Sequence, residues 1–213
     1  MRLFTAIALP DSARRQLAAQ LERAPALPAG VRLAPPQQWH ITLRFIGEVD
    51  AAQCAAIQRA LHAVRAAPFT LRLGGFGSFR SGSGTVLWCG VQGDVDALRA
   101  LHAAVSAALE SAGITPEKRR FAAHVTLARA RRPLPRAPLA DWCAAQFDGQ
   151  KEWRSAPVAV RHFFLFRSEL HPAGARHSVL QRYALAPSGT MAPYDSPEPA
   201  QSHLRSADAG AAL

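Results

Sequence analysis

A four-residue phrase occurs twice in this chain, as HITL from His40 to Leu43 and as HVTL from His124 to Leu127. In a β-strand, residues two apart point to the same face. Each copy therefore predicts a strand with His and Thr on one face and two aliphatic side chains on the other. Burial of the aliphatic faces leaves both polar pairs on the opposite side of the sheet.

Apolar spacing and turn residues predict the elements around the two copies. The order is strand, helix, strand, helix, strand pair, helix, strand, helix and strand pair. Each half of the chain then holds one motif strand, two helices and a hairpin-like element. The predicted ranges are 3–9, 11–23, 39–46, 50–65, 69–75 with 85–92, 94–110, 121–129, 139–147, and 156–168 with 177–185.

This order predicts an α+β protein with two pseudo-symmetric lobes, each with an antiparallel sheet and two helices, around a central cleft. Asp11 or Ser12, Asp50 and Asp94 are expected to cap the first three helices. The Gly/Ser-rich stretch GFGSFRSGSG is expected to be a flexible hairpin turn. We expect one domain over residues 1–186. Residues 187–213, rich in Pro, Ser, Ala and Gly, are expected to be a disordered tail.

Charge is the unusual feature of the composition. Lys and Arg number 25 against 15 Asp and Glu, which gives a net charge of +10 and a pI near 11.1. Such an excess attracts polyanions and places nucleic acid, nucleotides and anionic membranes among the candidate partners. A well-solvated surface without a polyanionic partner is the alternative.

Several features favour a cytoplasmic protein. No stretch approaches the roughly 20 apolar residues of a membrane span, and the short N-terminal apolar run, closed by Pro10, indicates a first strand rather than a signal peptide. Cys54, Cys89 and Cys143 are odd in number and widely spaced, so we expect reduced, buried thiols. We expect a monomer with no membrane partner.

The two motifs supply two imidazoles and two hydroxyls but no carboxylate. Imidazoles with a pKa near the ordinary value of about 6.5 can act as one general base and one general acid at neutral pH. Hydroxyls and an arginine can hold the oxygens of a phosphoryl group. Mg²⁺ prefers carboxylate ligands, and two His make a poor zinc site. The residues therefore favour metal-free displacement at a phosphodiester, and we expect no cofactor.

The paired motifs resemble the twin HxTx motifs of the 2H phosphoesterase superfamily. The surrounding sequences RLFTAIALP, WHITLRFIGEV, FAAHVTLARAR and FFLFRSEL, followed by GARHSVLQRYAL, are similar to the RNA 2′,3′-cyclic phosphodiesterases once called 2′-5′ RNA ligases. The resemblance covers about residues 2–186. It implies a two-lobed fold and hydrolysis of a terminal 2′,3′-cyclic phosphate, on RNA or a nucleotide, to a 2′-phosphomonoester without a metal.

The resemblance also implies residue roles. His40 and His124 would be catalytic, and Thr42, Thr126 and Arg129 would bind phosphate. We assign His40 as the proton donor to the departing 3′ oxygen and His124 as the base for water, although the sequence equally permits the reverse. Two further functions stay open: 2′-5′ RNA ligation by the same site, and RNA or nucleotide binding without catalysis.

Neighbouring residues carry weaker expectations. Strict alternation places Arg44 on the His40 face as a candidate substrate contact, or simply as an exposed arginine, and Phe45 in the core. Arg129 would point away from His124 in a regular strand, so the strand must end or bulge near Ala128, or Arg129 must act from the rim. Two aromatic residues, Phe76 and Phe79, are candidates for stacking a base. The other six His residues, including His177, are expected to be structural or exposed.

Overall fold

A computed structural model describes residues 1–82, 84–145, 147–148, 151–169, 171 and 175–186. The predicted tail lies outside the described residues. The helices are α1 (Asp11–Glu22), α2 (Ala51–His62), α3 (Val95–Ser111) and α4 (Arg136–Ala144), with a 3₁₀ turn at Pro36–Gln38. The strands are β1 (Arg2–Ala8), β2 (Val31–Leu33), β3 (His40–Glu48), β4 (Phe69–Ser81), β5 (Gly84–Gly93), β6 (His124–Ala130), β7 (Phe147–Asp148), β8 (Lys151–Glu152), β9 (Val158–Val160), β10 (His162–Glu169) and β11 (Arg176–Ala184).

Nine of the strands form one antiparallel sheet in the order β11, β10, β1, β3, β6, β5, β4, β9, with β2 paired to β6. The chain passes from β9 at one edge to β10, near the other edge, through Arg161 alone. Because consecutive Cα atoms are only about 3.8 Å apart, the sheet must curl until these two strands meet. The α+β prediction is confirmed. One half-sheet (β11, β10, β1 and β3) joins the other (β6, β5, β4 and β9) through the pairing of β3 with β6.

The core unites both halves. Leu98, Leu101, Val105 and Leu109 of α3 are fully buried and share one apolar cluster with Ile57 of α2 and with both motif strands. The helical spacing of these residues predicted this face of α3. No helix in the described part of the chain has the length and apolarity that a membrane crossing requires.

Only one of the predicted helix caps forms as expected. Asp50 accepts the backbone N–H of Gln53 at 2.8 Å, and the Gln53 side chain accepts the Asp50 N–H, which completes a capping box for α2. At α3, the Asp94 carboxylate instead accepts the N–H of Thr70 at 2.9 Å. No side chain caps α1, where Pro10 is the N-cap residue. A contact between distant elements therefore replaces the local one at Asp94.

The predicted hairpin is confirmed, because β4 and β5 pair along their length. Its turn is shorter than predicted, since the two strands continue through most of the Gly/Ser-rich stretch. Gly77 lies opposite Trp88 in this ladder, and a Cβ at Gly77 would overlap the indole ring. The glycine is therefore what allows the indole to lie against the β4 backbone. Among the predicted buried thiols, Cys54 and Cys89 are buried and Cys143 is half-buried, and none of the three belongs to a disulfide.

Each motif strand contains a β-bulge just after its motif. In β3, Arg44 pairs with Thr5 and Thr42 pairs with Ala6, so Leu43 is the extra residue. In β6, Ala128 pairs with Leu87 and Thr126 with Trp88, so Leu127 is the extra residue. A bulge of this kind interrupts the alternation of faces. The side chains that directly follow it, Arg44 and Phe45 in β3 and Ala128 and Arg129 in β6, therefore point to the faces opposite those predicted by counting from the histidine.

The bulge in β3 overturns both predictions for the residues that follow. Arg44 is only 3% exposed, and its Nη2 donates to the Thr115 carbonyl at 2.5 Å on the helix side of the sheet. Phe45 is 53% exposed and its ring lies 6.1 Å from that of Phe4. Arg44 is therefore buried on the face opposite His40, away from the face on which a substrate contact was expected, and Phe45 is not a core residue.

We predict that Arg44→Ala lowers the free energy of unfolding by about 1.5–3 kcal/mol, because it removes a buried, charge-assisted hydrogen bond. Chemical denaturation monitored by circular dichroism measures this change. The control is Arg99→Ala, which removes an exposed i,i+3 ion pair with Asp96 and should change stability by less than about 0.5 kcal/mol. Equal, small effects of both substitutions would contradict a structural role for Arg44.

Candidate functional site

The two motif strands meet at one residue pair, Ile41 of β3 and Val125 of β6. Both side chains are almost fully buried, at 1% and 0% exposure. Because direct partners in an antiparallel pair point to the same face, the residues on either side of each must point to the other face. The four motif side chains on that shared face are half-buried: His40, Thr42, His124 and Thr126.

Both imidazoles are oriented by the same local hydrogen bond. Nδ1–H of His40 donates to the Gln38 carbonyl at 2.6 Å, and Nδ1–H of His124 donates to the Ala122 carbonyl at 2.7 Å. A carbonyl oxygen can only accept, so the proton of each neutral ring is on Nδ1. Nε2 of each neutral ring then carries no proton and can accept one. At His40, Nε2 accepts from the Thr42 hydroxyl at 3.1 Å.

The bulge in β6 returns Arg129 to the motif face, which is one of the explanations offered for its odd spacing from His124. Partial desolvation lowers the pKa of the exposed Arg129 side chain from its ordinary value. Its positive charge in turn lowers the pKa of both His40 and His124. Since such coupling weakens with distance, the guanidinium and both imidazoles occupy one site.

His40 lies in an aromatic environment. Its ring centroid is 5.0 Å from that of Phe4, 6.2 Å from Phe166 and 5.6 Å from His177, which it meets edge-on. Burial is the main reason that the pKa of His40 falls to about 4. The hydrogen bond to the Gln38 carbonyl opposes this shift. The charge of Arg129 adds to it, as do His177 and His124 when they are protonated.

His124 has fewer aromatic neighbours. The Phe79 ring meets it edge-on at 5.1 Å. Burial again lowers the pKa, with a smaller contribution from the Arg129 charge, while the hydrogen bond to the Ala122 carbonyl opposes the shift. Both imidazoles are therefore biased toward the neutral form in the ligand-free protein.

Sequence patterns had not identified His177 as part of this site. It lies on β11, where burial lowers its pKa, and its ring contacts both Phe4 and His40. Its position depends on the order β11, β10, β1, β3, which no local pattern reveals. Alternation along β10 could have placed Phe166 on one face with Phe164, but not beside His40.

An exposed basic cluster borders the second motif strand. Its members are Lys118, Arg119, Arg120, Arg131, Arg132 and Arg136.

Among the described residues, no three His, Cys, Asp or Glu side chains are placed to hold a metal ion together. The site thus presents two imidazoles, two hydroxyls and a guanidinium, a set that can bind an anion and move protons on and off it.

Comparisons with known proteins agree with this chemistry. A family model described as the 2′-5′ RNA ligase superfamily matches residues 8–172. A protein of Archaeoglobus fulgidus named RNA 2′,3′-cyclic phosphodiesterase is 34% identical over 176 residues, which is 82% of this chain and 94% of the relative. A protein of Thermus thermophilus with the same name is 33% identical over 193 residues, or 87% of this chain and 90% of the relative.

Solved structures have the same fold. The crystal structure of a Thermus thermophilus protein superposes with a TM-score of 0.68 at 31% identity and covers 88% of this chain and 100% of that one. Escherichia coli LigT, solved as a complex with 3′-AMP, superposes with a TM-score of 0.67 at 26% identity over 86% of this chain and 97% of that one. The family match and the extent of these similarities show that this chain belongs to the 2′-5′ RNA ligase superfamily of 2H phosphoesterases.

Proposed function

We propose that this protein hydrolyses the 2′,3′-cyclic phosphate end of RNA, or of a nucleotide, to a 2′-phosphomonoester. One observation carries the proposal: His40 and His124 lie on one face of the sheet, each with Nδ1 held by a backbone carbonyl and Nε2 directed away from it. Two imidazoles fixed in this way are suited to transfer protons to and from a single bound group.

The relatives support this choice of substrate. The A. fulgidus and T. thermophilus proteins, which align over most of their length, are named RNA 2′,3′-cyclic phosphodiesterases. LigT, with the same fold, has been crystallised with 3′-AMP. The net charge of +10 and the exposed basic cluster beside β6 favour a polyanion such as RNA over a neutral substrate.

The phosphate would be held by three side chains. The hydroxyls of Thr42 and Thr126 donate hydrogen bonds to its non-bridging oxygens, and the Arg129 guanidinium neutralises the charge that develops on them. In the structure, the Thr42 hydroxyl donates to Nε2 of His40. Binding requires this hydroxyl to rotate toward the phosphate, which frees Nε2.

Proton transfer then completes the reaction. His124 accepts a proton from water through Nε2 as the oxygen attacks phosphorus. The bond from phosphorus to the 3′ oxygen breaks, and His40 donates its Nε2 proton to that oxygen. The products are a 2′-phosphomonoester and a free 3′-hydroxyl, and solvent restores the proton to His40.

The donor role requires His40 to gain a proton when substrate binds. Its pKa of about 4 in the free protein means that the ring is neutral at pH 7. The anionic phosphate favours the imidazolium form and raises this pKa in the complex. Substrate binding and proton uptake by His40 are therefore coupled.

The absence of a disulfide among Cys54, Cys89 and Cys143 fits a reducing compartment. We include a cytoplasmic location and action as a monomer in the proposal.

We predict that the purified protein converts a 2′,3′-cyclic nucleotide to the 2′-monophosphate in the presence of EDTA. His40→Ala and His124→Ala should each lower kcat/KM by roughly 10²- to 10⁴-fold, because each removes a proton-transfer group. Chromatographic identification of the product isomer provides the readout.

The control is His62→Ala, which removes an exposed imidazole from α2 and should leave kcat/KM within about twofold. A 3′-monophosphate product would contradict the proposed direction of ring opening. Loss of turnover in EDTA that a divalent metal restores would contradict the two-histidine mechanism.

The lowered pKa values predict the pH dependence. The bell-shaped profile of kcat/KM reports the free enzyme. Since the pKa of His40 is about 4 and that of His124 lies below its usual 6.5, the maximum should lie below pH 6.5. The profile of kcat should peak at higher pH, because the bound anion raises both pKa values.

Steady-state kinetics from about pH 4 to 9 measure both profiles, with circular dichroism as a check that the fold persists throughout. The shape of the bell is the same whichever histidine is the acid, so the experiment tests the pKa values and not the roles. A kcat/KM maximum at or above pH 6.5 would contradict this account of the site.

A further inference from the structure

Two phenylalanine rings are exposed on the motif face of the sheet. Phe45 is 53% exposed and Phe79 is 38% exposed. Single exposed apolar residues are common on protein surfaces. These two differ because each belongs to a chain of ring contacts that reaches a motif histidine: Phe45 through Phe4 to His40, and Phe79 directly to His124.

The register of the second half-sheet explains how Phe79 reaches this position. Phe79 lies opposite Val86, which in turn lies opposite Arg129, so all three belong to the motif face. Trp88, opposite Thr126, belongs to it as well. Its indole centroid is 6.5 Å from that of Phe79, with the two planes inclined by only 30°.

Glycines shape the surface beneath these rings. A Cβ at Gly77 would overlap the Trp88 indole, so the absence of a side chain lets the indole lie flat on β4. Gly90 lies opposite His124, and a Cβ there would come within 2.7 Å of the Gly74 carbonyl. The result is an aromatic platform of Phe79 supported by Trp88 at the edge of His124. We call this pair the Phe79 platform.

The position of the platform relative to the reaction indicates its ligand. In the proposed mechanism His124 deprotonates the nucleophile, so the platform lies on the side from which the nucleophile approaches. Water has no flat face to stack on an aromatic ring, whereas a nucleobase does. We propose that the Phe79 platform stacks the base of a second nucleoside, whose 5′ oxygen occupies the position of the attacking water. The inference rests on the proposed function.

A pair of unreactive ligands tests the platform by calorimetry. The first is a 2′-5′-linked dinucleoside monophosphate whose first nucleoside lacks the 3′-hydroxyl, so that it cannot cyclise. The second is the methyl ester of the same 3′-deoxynucleoside 2′-monophosphate, which has the same charge but no second nucleoside. We expect the protein to bind the dinucleotide about 5- to 150-fold more tightly.

Three substitutions test whether Phe79 causes this difference in affinity. Phe79→Ala should reduce the preference for the dinucleotide to within about twofold and leave the affinity for the methyl ester unchanged. Phe79→Trp should retain the preference, because it keeps an aromatic face. Leu33→Ala, which removes another exposed apolar side chain (47% exposed) from β2, should change neither affinity.

The outcomes separate this inference from the function on which it rests. Equal affinities for the two ligands in the unaltered protein, or a preference that survives Phe79→Ala, would overturn the inference while hydrolysis of a cyclic nucleotide still stands. A Phe79→Ala protein that loses affinity for both ligands would place the first nucleoside on the platform and also overturn it. Absence of cyclic nucleotide hydrolysis would instead refute the proposed function.

Discussion

The structure depends on the buried pair of Ile41 and Val125, the point at which the two half-sheets meet. Their side chains belong to the same core as the helices. Once they are buried, the pleat of the two strands leaves His40, Thr42, His124 and Thr126 no position other than the opposite face. Hydrophobic burial thus brings together two polar groups that are far apart in the chain. A shift of one residue in either strand would bury one motif and expose its aliphatic residues.

A second constraint, the bulge after each motif, decides which other side chains join the site. The bulges lie at equivalent positions and have equivalent effects. The fourth residue after each histidine is buried, as Arg44 in one half and Ala128 in the other, and the fifth turns to the motif face, as Phe45 and Arg129. The same backbone device therefore supplies an aromatic ring beside His40 and a cation beside His124. The two halves are alike in geometry and different in chemistry.

Much of the fold and of the site could be predicted from the sequence, and the residues whose positions could not be predicted share physical reasons. The order of elements, the buried face of α3 and the faces of the two HxT triplets follow from local periodicity, which depends only on neighbours in the chain. The positions of Arg44, Phe45 and Arg129 depend on bulges, which are set by the register with β1 and β5. His177 and Phe79 reach the site through the order of strands in the sheet. The carboxylate of Asp94 bonds to Thr70 rather than to its own helix, a choice that local propensity does not reveal.

The residues of the site leave it with a positive potential that they do not themselves neutralise. Burial and the charge of Arg129 lower the pKa of His40 and His124, and partial desolvation lowers that of Arg129. No carboxylate in either motif offsets this positive potential. An anion at the centre would favour the protonated state of the same groups that bind it. The proposed substrate therefore supplies the negative charge that the two motifs lack. Its binding favours protonation of His40, which then acts as the proton donor.

The most direct test of this account replaces the bridging 3′ oxygen of a 2′,3′-cyclic nucleotide with sulfur. A thiolate is a much weaker base than an alkoxide (a cysteine thiol has a pKa of about 8.5), so it departs without a proton donor. If His40 and His124 act on opposite sides of one phosphorus, the roughly 10²- to 10⁴-fold loss in His40→Ala should nearly disappear on the sulfur substrate. The loss in His124→Ala should persist. Losses that are the same on both substrates in both variants would contradict the account.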